Sequence, residues 1–289
     1  MRSVLTIAIP LHGGRRWLDT VVENVAKAPS NSTVVISDAS GLDDAPEYLE
    51  RRFAGDDRVT VVRRTRRLGW IEHSNLLLAE ATTEYFCWMP QDDLVSPEDY
   101  FDLLVAAMEQ NPDRVLAFPS VLRRVRQGRL RDREVTMPFR RPPFELGRRT
   151  PEAEALDLLR RWNIGLGCWR GVFRRSVARP IPETRDSADL AWAFSMALAG
   201  HFIEVPEARY LKRLHRGSAL TQMRWEGKEH AKRIYVAEIR ARMDGAPERQ
   251  AAVMQSVEGH LARHRHVRAI GRARAAAAYV IAGRRPIFE

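Results

Sequence analysis

The chain has 289 residues, of which 45% are hydrophobic and 29% charged, and its formal net charge is +10. This composition supports one large globular domain or two ordinary ones and excludes a disordered chain. The sequence contains no apolar run of about eighteen residues, and its N-terminal segment is soon interrupted by glycine, so we expect no membrane span or signal peptide and a cytoplasmic location. Cys87 and Cys168 lie in apolar stretches without a metal-binding spacing, which predicts reduced, buried thiols.

The first 120 residues alternate apolar, β-rich runs with segments whose apolar residues recur every three or four positions. Short runs that are apolar throughout are typical of strands buried on both faces, and this alternation is typical of a doubly wound α/β sheet. Ser96 followed by Pro97 is a typical helix start. We predict strands over 5–10, 33–38, 59–62, 84–89 and 114–119, and helices over 16–27, 45–53, 70–81 and 97–110.

The positive charge is concentrated in the second half of the chain. The Arg- and Pro-rich segment from Arg123 to Thr150 predicts a long loop. From residue 221 onwards the chain is basic, rich in alanine and helical in pattern, whereas the remainder is mildly acidic. We predict a main α/β domain over 1–220 and a helical extension over 221–289, with further helices over 151–163 and 189–200, a turn and strand within 165–177, and extended structure over 202–215.

Polar residues follow four successive predicted strands. Gly13 and Gly14 come after the first strand, Asp38 ends the second, Arg67 and Gly69 follow the third, and Asp92 and Asp93 follow the fourth. The carboxyl ends of parallel strands meet at one edge of a sheet, where ligands bind in a crevice. The sequence therefore predicts a ligand site of glycine, carboxylate and arginine at this edge.

The adjacent carboxylates of Asp92 and Asp93 have three readings. They cap the helix that follows, they form an acid/base pair, or they hold a divalent cation. Mg²⁺ and Mn²⁺ prefer oxygen ligands, usually one or two carboxylates together with substrate phosphates and water. The two residues alone do not decide among these readings.

Five motifs taken in chain order resemble those of family 2 glycosyltransferases of the GT-A fold. They are LTIAIPLH near the start, VVISDAS at the end of the second strand, RRLGWIEHSN, ATTEYFCWMPQDDLVSP, and ARYLKRLHRGSALT. The resemblance covers residues 3 to about 221. It implies a GT-A-type, Rossmann-like, mostly parallel sheet with helices on both faces, followed by the C-terminal helical extension. It also implies sugar transfer from a nucleoside-diphosphate sugar to an acceptor hydroxyl of a glycan, lipid or small molecule, in a process such as polysaccharide biosynthesis.

The resemblance also implies roles for individual residues. Asp38 would contact the nucleotide base, although an Asx-type turn cap is the alternative. Asp92 would face the ribose, and Gln91 stands where many members have a further Asp. Asp93 would hold the Mn²⁺ or Mg²⁺ ion, assisted by His215, for which a structural or surface role is the alternative. The remaining nucleotide-sugar contacts would come from Pro10, Leu11, His12, Arg67 and Asn75, of which Arg67 and Asn75 read equally well as a solvated arginine and a helix-surface amide.

The catalytic base is the least regular part of the resemblance. Inverting members of the family use a carboxylate near a helix start, generally in a Glu-Asp pair, to deprotonate the acceptor. The corresponding stretch here reads TRDSADLAW, which offers Asp189 first and Asp186 second, separated by Ser187 and Ala188. An acid in the first turn that is stabilised by the helix dipole is the alternative for Asp189.

The basic C-terminal segment allows several partners. Val253, Val257, Leu261 and Ala262 have helical spacing among basic residues, which is typical of a helix on an anionic membrane surface. A helical hairpin packed on the main domain and a homodimer contact are the alternatives. The rival functions are a nucleotidyltransferase acting on sugar phosphates, faintly suggested by LHGGRR at 11–16, and a non-enzymatic basic protein that binds membranes or nucleic acid. Nucleic-acid binding is disfavoured because the sequence carries no zinc, helix-turn-helix or RNA-binding signature.

Overall fold

The structure is a computed structural model that describes residues 3–127, 133–138, 150–160, 167–184, 188–214 and 228–262. Nine strands within these ranges form a single mixed sheet. The strands are β1 (Leu5–Leu11), β2 (Ser32–Asp38), β3 (Val59–Arg63), β4 (Tyr85–Trp88), β5 (Leu94–Ser96), β6 (Arg114–Gln127), β7 (Arg133–Pro138), β8 (Val172–Arg174) and β9 (His201–Leu214).

The helices pack between and beyond these strands. In the main unit they are α1 (Leu18–Ala26), which follows a short 3₁₀ turn at Gly14–Trp17, α2 (Ala45–Arg52), α3 (Trp70–Glu80), α4 (Tyr100–Gln110), α5 (Pro151–Arg160) and α6 (Ala188–Ala199). Nine of the twelve residues of α6 are buried, as expected for a helix that is apolar on nearly every side.

The sheet has the strand order β3-β2-β1-β4-β8-β6-β9-β5, and β7 pairs with β6. In its first half, β1 runs parallel to β2 and β4, and β2 runs parallel to β3. The second half is mixed, because β8 is antiparallel to both β4 and β6, and β5 is antiparallel to β9. The predicted Rossmann-like sheet with helices on both faces is therefore confirmed.

The core explains why the central strands are largely apolar. β1 and β4 are central strands, and their residues Leu5, Ile7, Phe86 and Cys87 have at most 2% of their surface exposed. Gly171, at the start of β8, is required by close packing, since a Cβ atom there would overlap the carbonyl oxygen of Ala117 in β6. Cys87 and Cys168 are both buried, as predicted.

Two predictions about local structure are wrong. The helix expected to start at Ser96 and Pro97 begins at Tyr100, because Ser96 ends β5 and pairs with Arg209 of β9. The segment from Arg123 to Thr150 is not a loop throughout, because β6 continues to Gln127 and β7 pairs with it over Arg133–Pro138. Residues 139–149 of that segment lie outside the described ranges.

The chain divides into two compact units, residues 1–225 and 226–289. The boundary lies in a part of the chain outside the described residues, so the predicted domain limits stay a prediction. In the second unit, α7 (Lys228–Arg242) and a helical stretch over 247–262 run antiparallel, as shown by the contacts Lys232–Glu258, at 2.8 Å, and Gln250–Met243, at 2.6 Å. Val253, Val257 and Leu261 are buried, so this unit contains a helical hairpin. Membrane contact and dimerisation stay predictions.

Candidate active site

The loops after the parallel strands are fastened to one another at the carboxyl edge of the sheet. Gln91, after β4, accepts a hydrogen bond from the backbone N–H of His12 at 3.0 Å and donates one to its carbonyl at 2.9 Å. The backbone N–H of Gly13 donates to the Ser40 hydroxyl at 3.3 Å, which joins the loops after β1 and β2. Gln91 is therefore a clamp between two loops, which accounts for an amide at this position.

Asp38 lies at the end of β2 and is only 7% exposed. Its Oδ1 atom accepts hydrogen bonds from the backbone N–H and the hydroxyl of Ser40, at 3.0 and 2.6 Å. Its Oδ2 atom accepts one from the backbone N–H of Gly41 at 3.1 Å. The carboxylate thus forms the Asx-type turn that the sequence left open as an alternative, and contact with a nucleotide base stays a prediction.

The buried side chain of His73 contacts Ser37 near the end of β2. Nε of Arg64 donates to the hydroxyl of Ser37 at 2.9 Å, and that hydroxyl lies 2.9 Å from Nε2 of His73. Because the hydroxyl accepts from the cation, its own proton is available to the Nε2 atom of a neutral imidazole. Burial, followed by repulsion from Arg64, lowers the pKa of His73 to about 4, in agreement with this arrangement.

Asp93 is buried within the protein. Its Oδ2 atom accepts a hydrogen bond from the Tyr210 hydroxyl at 2.6 Å, and its Oδ1 atom accepts one from the backbone N–H of Arg213 at 2.7 Å. Nζ of Lys212 lies 3.7 Å from Oδ2, and a guanidinium nitrogen of Arg170 lies 4.0 Å from it. Asp93 therefore holds the start of β5 against β9, and its carboxylate has only 1% of its surface exposed.

Two buried cations connect the acidic residues of the site. Arg170 and Lys212 are 5% and 8% exposed, and the Arg170 guanidinium lies 5.1 Å from the ring centroid of Tyr210. Burial, and then repulsion from Arg170, lowers the pKa of Lys212, while nearby carboxylates oppose that shift. The opposing carboxylates are Asp93, Asp92 and Asp189.

The same electrostatic coupling brings Asp92 and Asp189 to one site although they lie far apart in the sequence. Asp92 is half-buried beside Asp93, and its charge adds to burial in raising the pKa of Asp93. Asp189 is half-buried in the first turn of α6, where Oδ1 accepts from the backbone N–H of Leu190 at 2.9 Å. The charge of Asp189 acts on the pKa of both Arg170 and Lys212, and the charge of Asp92 acts on the pKa of Lys212, so Lys212 is the cation that both carboxylates influence.

A comparison with protein families decides to which family the chain belongs. The model described as Glycosyl transferase family 2 matches residues 6–178, which is more than half of the chain. The chain belongs to glycosyl transferase family 2. The resemblance that the five motifs carry is therefore confirmed.

Individual relatives agree with the family 2 assignment. Beta-1,4 N-acetylgalactosaminyltransferase 2 from Mus musculus is 27% identical over 110 residues, which is 38% of this chain and 20% of the relative. The chain thus matches about a fifth of that relative's length.

Solved structures share the fold at low sequence identity. S. aureus TarS 1–349 in complex with UDP-GlcNAc matches with a TM-score of 0.64 and 14% identity, over 90% of this chain and 72% of that one. The mannosyltransferase PcManGT from Pyrobaculum calidifontis, in complex with GDP-Man and Mn²⁺, matches with a TM-score of 0.55 and 17% identity, over 98% and 80%. Identities this low show a common fold.

Asn75 and Arg67 belong to the family 2 motifs, and the structure shows what surrounds each of them. The side-chain amide of Asn75 forms two hydrogen bonds with the backbone of Ile181. Its Nδ2 atom donates to the carbonyl of Ile181 at 3.0 Å, and its Oδ1 atom accepts from the N–H of Ile181 at 2.7 Å. This side chain therefore connects α3 to the segment before α6. Arg67 is exposed and makes no ion pair with any residue that the structure describes. The predicted contacts of Asn75 and Arg67 with the nucleotide sugar stay predictions.

The remaining predicted residues divide by exposure. Leu11 is a core residue at 2% exposure, Pro10 is half-buried, and His12 is exposed with its backbone held by Gln91. Asp186 and His215 lie outside the described residues, as does Trp162, which the sequence suggested with Trp169 and Trp192 as a surface for a sugar acceptor. Trp169 and Trp192 are 6% and 0% exposed and belong to an aromatic cluster.

Sequence reasoning did not single out Arg170, Lys212 or Tyr210. Tyr210 and Lys212 lie in the motif ARYLKRLHRGSALT, but the register that directs a residue of β9 towards Asp93 depends on pairing of β9 with β5 and β6. Arg170 follows a glycine-punctuated turn, where no periodicity distinguishes a buried arginine from a solvated one. A signal was present in the preceding residues, since Cys168 and Trp169 predict a buried segment.

The donor set among the described residues fits a hard divalent cation only in part. No group of three or more His, Cys, Asp or Glu residues within the described ranges is placed to bind a metal ion. One accessible carboxylate is nevertheless compatible with Mg²⁺ or Mn²⁺, because such ions take most of their ligands from substrate phosphates and water. Asp92 is half-buried while Asp93 is enclosed, and the assignment of the metal to Asp93 stays a prediction.

Proposed function

We propose that this chain transfers a sugar from a nucleoside-diphosphate sugar to an acceptor hydroxyl, with inversion at the anomeric carbon and with the help of a divalent cation. The observation that carries this proposal is that the charges of Asp92 and Asp189 both act on the buried Lys212, whose Nζ atom lies 3.7 Å from Asp93. Such a transfer requires one carboxylate that helps to bind the donor diphosphate and a second carboxylate that accepts the proton of the acceptor hydroxyl.

The donor would lie along the fastened loops after the parallel strands. Backbone N–H groups and a half-buried carboxylate at such an edge suit a nucleoside diphosphate. TarS and PcManGT, which share this fold, are described in complex with UDP-GlcNAc and with GDP-Man. The identity of the base and of the sugar in the present chain stays open to measurement.

A Mn²⁺ or Mg²⁺ ion would be held by Asp92, with His215 as a second ligand predicted from the sequence. Such an ion supplies positive charge that stabilises a leaving diphosphate. Arg170 and Lys212 supply fixed positive charge of the chain's own in the same region, and Asp93 keeps these two buried cations in place. This division of labour assigns Asp92 to binding and Asp93 to the framework.

Asp189 would act as the base. Its carboxylate would accept the proton of the acceptor hydroxyl, whose oxygen forms the new bond to the anomeric carbon. The bond from that carbon to the diphosphate oxygen breaks at the same time, and the diphosphate leaves with the electron pair. Asp189 is positioned in the first turn of α6, where its Oδ1 atom accepts a hydrogen bond from the backbone N–H of Leu190 at 2.9 Å.

Thermal stabilisation by UDP, GDP, ADP and TDP, each with Mn²⁺ and with EDTA, tests the donor half of the proposal. We expect at least one diphosphate to raise the Tm in a metal-dependent way and the Asp92→Asn variant to lose that rise. Glu98→Gln, at an exposed position near the same loop, is the control. The absence of any response to all four diphosphates in the wild-type chain would refute the proposal.

The configuration of the product tests the second half. The proton NMR coupling constant of the anomeric hydrogen is compared between donor and first product, before mutarotation. Opposite configurations are expected for a single displacement assisted by Asp189. Retained configuration would contradict the proposed mechanism while leaving the donor binding intact.

A further inference from the structure

An exposed tryptophan lies at the same edge of the sheet as the proposed site. Trp70 begins α3 directly after the segment that follows β3, and 48% of its surface is exposed. Leu42 and Tyr48 are the other large hydrophobic residues exposed to a similar degree in the described part of the chain. A single exposed aromatic residue is common, so the argument depends on what holds Trp70 in place.

An aromatic stack fixes the indole of Trp70. Its ring meets that of Trp169 edge to face, with centroids 6.0 Å apart, and Trp169 stacks on Trp88 at 4.3 Å and an interplanar angle of 10°. Nε1 of Trp88 in turn donates to the carbonyl of Ser74 at 3.1 Å. Such contacts are favourable geometries for aromatic rings, and they position an exposed ring before any ligand arrives.

The stack also leads to the proposed base. Trp192 packs edge to face on Trp169, with centroids 5.4 Å apart, and follows Asp189 by three positions in α6. Residues three apart lie on the same side of a helix. Trp169 directly precedes Arg170, whose guanidinium lies 4.0 Å from Asp93. Trp169 therefore contacts both Trp70 and Trp192, and Trp192 lies one helical turn after Asp189.

We propose that Trp70 is the stacking platform for a pyranose ring of the acceptor. One face of a pyranose presents C–H groups that pack on an aromatic face, while its hydroxyl groups point outwards at the rim. A ring seated on Trp70 would lie on the side of the site where Trp169 and Trp192 connect to the helix that carries Asp189. The inference rests on the proposed transferase function and narrows it to sugar acceptors.

The acceptor is favoured over the donor sugar by the direction of these contacts. The aromatic stack joins Trp70, through Trp169, to Trp192 of α6, the helix that carries the proposed base Asp189. Asp38 and the hydrogen-bonded loops, in contrast, lie at the ends of β1 and β2. The donor sugar must lie next to its own diphosphate and the acceptor next to the base. Trp70 is connected to the second of these positions.

Saturation-transfer NMR without nucleotide tests the proposal on the full chain. The probes are the methyl pyranosides of glucose, galactose, N-acetylglucosamine and N-acetylgalactosamine. We expect at least one of them to receive saturation on the hydrogens of one ring face, and Trp70→Ala to weaken its binding about tenfold. Trp70→Phe should restore part of the binding, and Tyr48→Ala, an exposed aromatic on α2, should leave it unchanged.

Three results would overturn the proposal. Binding of no pyranoside by a wild-type chain that is stabilised by a nucleoside diphosphate would mean that the acceptor is not a pyranoside. Equal binding by wild type and Trp70→Ala would place the acceptor elsewhere. Loss in Trp70→Ala of the extra thermal stabilisation by UDP-GlcNAc or GDP-Man over the bare diphosphate would assign the ring to the donor sugar. Failure of the proposed transferase function would be seen separately, because the diphosphates would then leave the Tm of the wild-type chain unchanged. The NMR measurement contains no nucleotide and reports pyranoside binding independently of that result.

Discussion

Asp92 and Asp93 are neighbours in the sequence with opposite surroundings. Asp93 has two hydrogen bonds and two cations around a buried carboxylate, and Asp92 is half-buried at the edge. Removing the partner of a buried cation is costly because the charge that remains has neither solvent nor a counterion. The two positions should therefore respond differently to the same substitution.

We predict that Asp93→Ala lowers the free energy of unfolding by about 3–5 kcal/mol, since it removes a buried carboxylate that lies within 4.0 Å of both Arg170 and Lys212. Asp92→Ala should lower it much less and should instead abolish metal-dependent binding of the diphosphate. Urea unfolding of both variants measures the first effect, and thermal stabilisation by the diphosphate measures the second. An Asp93→Ala variant as stable as the wild type would contradict the assignment of Asp93 to the framework.

His73 gives the stability a specific dependence on pH. Its pKa is about 4 in the folded chain against 6.5 as the ordinary value, so the unfolded chain binds more protons between these two values. The contribution of neutral His73 is therefore fully present above pH 6.5 and is lost as the pH falls from 6.5 to about 4.

We expect His73→Gln to make the Tm less dependent on pH than that of the wild type across this window, as measured by thermal unfolding in steps of half a pH unit. His12→Gln, which changes an exposed histidine, is the control. Parallel Tm curves for wild type and His73→Gln would show that the imidazole is not buried in its neutral form.

At the scale of elements, the site depends on how loops and helix ends are fastened. Gln91 joins the loops after β1 and β4 by using its amide both as donor and as acceptor. Gln91→Glu keeps the shape but places a negative oxygen against the carbonyl of His12. We predict a loss of about 1 kcal/mol in stability and weaker diphosphate binding, measured by urea unfolding and calorimetry. Gln255→Glu, at an exposed helical position, is the control, and equal effects of the two changes would contradict the clamp.

The first turn of α6 supplies the proposed base. Asp189→Asn preserves the side-chain volume and removes the acceptor of the proton, so the turnover number should fall about 10²- to 10⁴-fold. Stabilisation by the diphosphate should stay unchanged, because the base acts on the acceptor. Asp19→Asn, an exposed acid in the first turn of α1, controls for the helix dipole alone. Turnover that survives in Asp189→Asn would transfer the role of base to Asp186 or to another residue.

The sequence predicts the parallel half of the sheet because its strands are short, largely apolar runs and the apolar residues of its helices recur every three or four positions. It also indicates Asp38, Asp92 and Asp93, because strand ends in such sheets meet at one edge. It cannot distinguish Asp92 from Asp93, since the difference arises from β9, more than a hundred residues later in the chain, whose Tyr210 and Arg213 enclose only the second carboxylate. The antiparallel pairing of β8 with β4 and β6, and of β5 with β9, is equally non-local. The position of Arg170, shortly before β8, depends on this pairing.

At the scale of the whole molecule, the main unit contains the fold and the candidate site, and the C-terminal unit contains a helical hairpin. None of the helices in the described ranges is both long enough and apolar enough to cross a membrane. The basic residues beyond 262 lie outside these ranges. Contact of this unit with a membrane surface or with a second copy stays a prediction from its charge.

The central claim is that Asp92, at the carboxyl edge of the sheet, binds the donor for sugar transfer. The most direct measurement is the rate of nucleoside-diphosphate release from a panel of UDP- and GDP-sugars, with Mn²⁺ and after addition of EDTA, by the wild type and Asp92→Asn. The account predicts turnover of at least one donor, dependence on the metal, and a loss of about 100-fold or more in Asp92→Asn at an unchanged Tm. Release at the wild-type rate by Asp92→Asn, or no release from any donor, would contradict it.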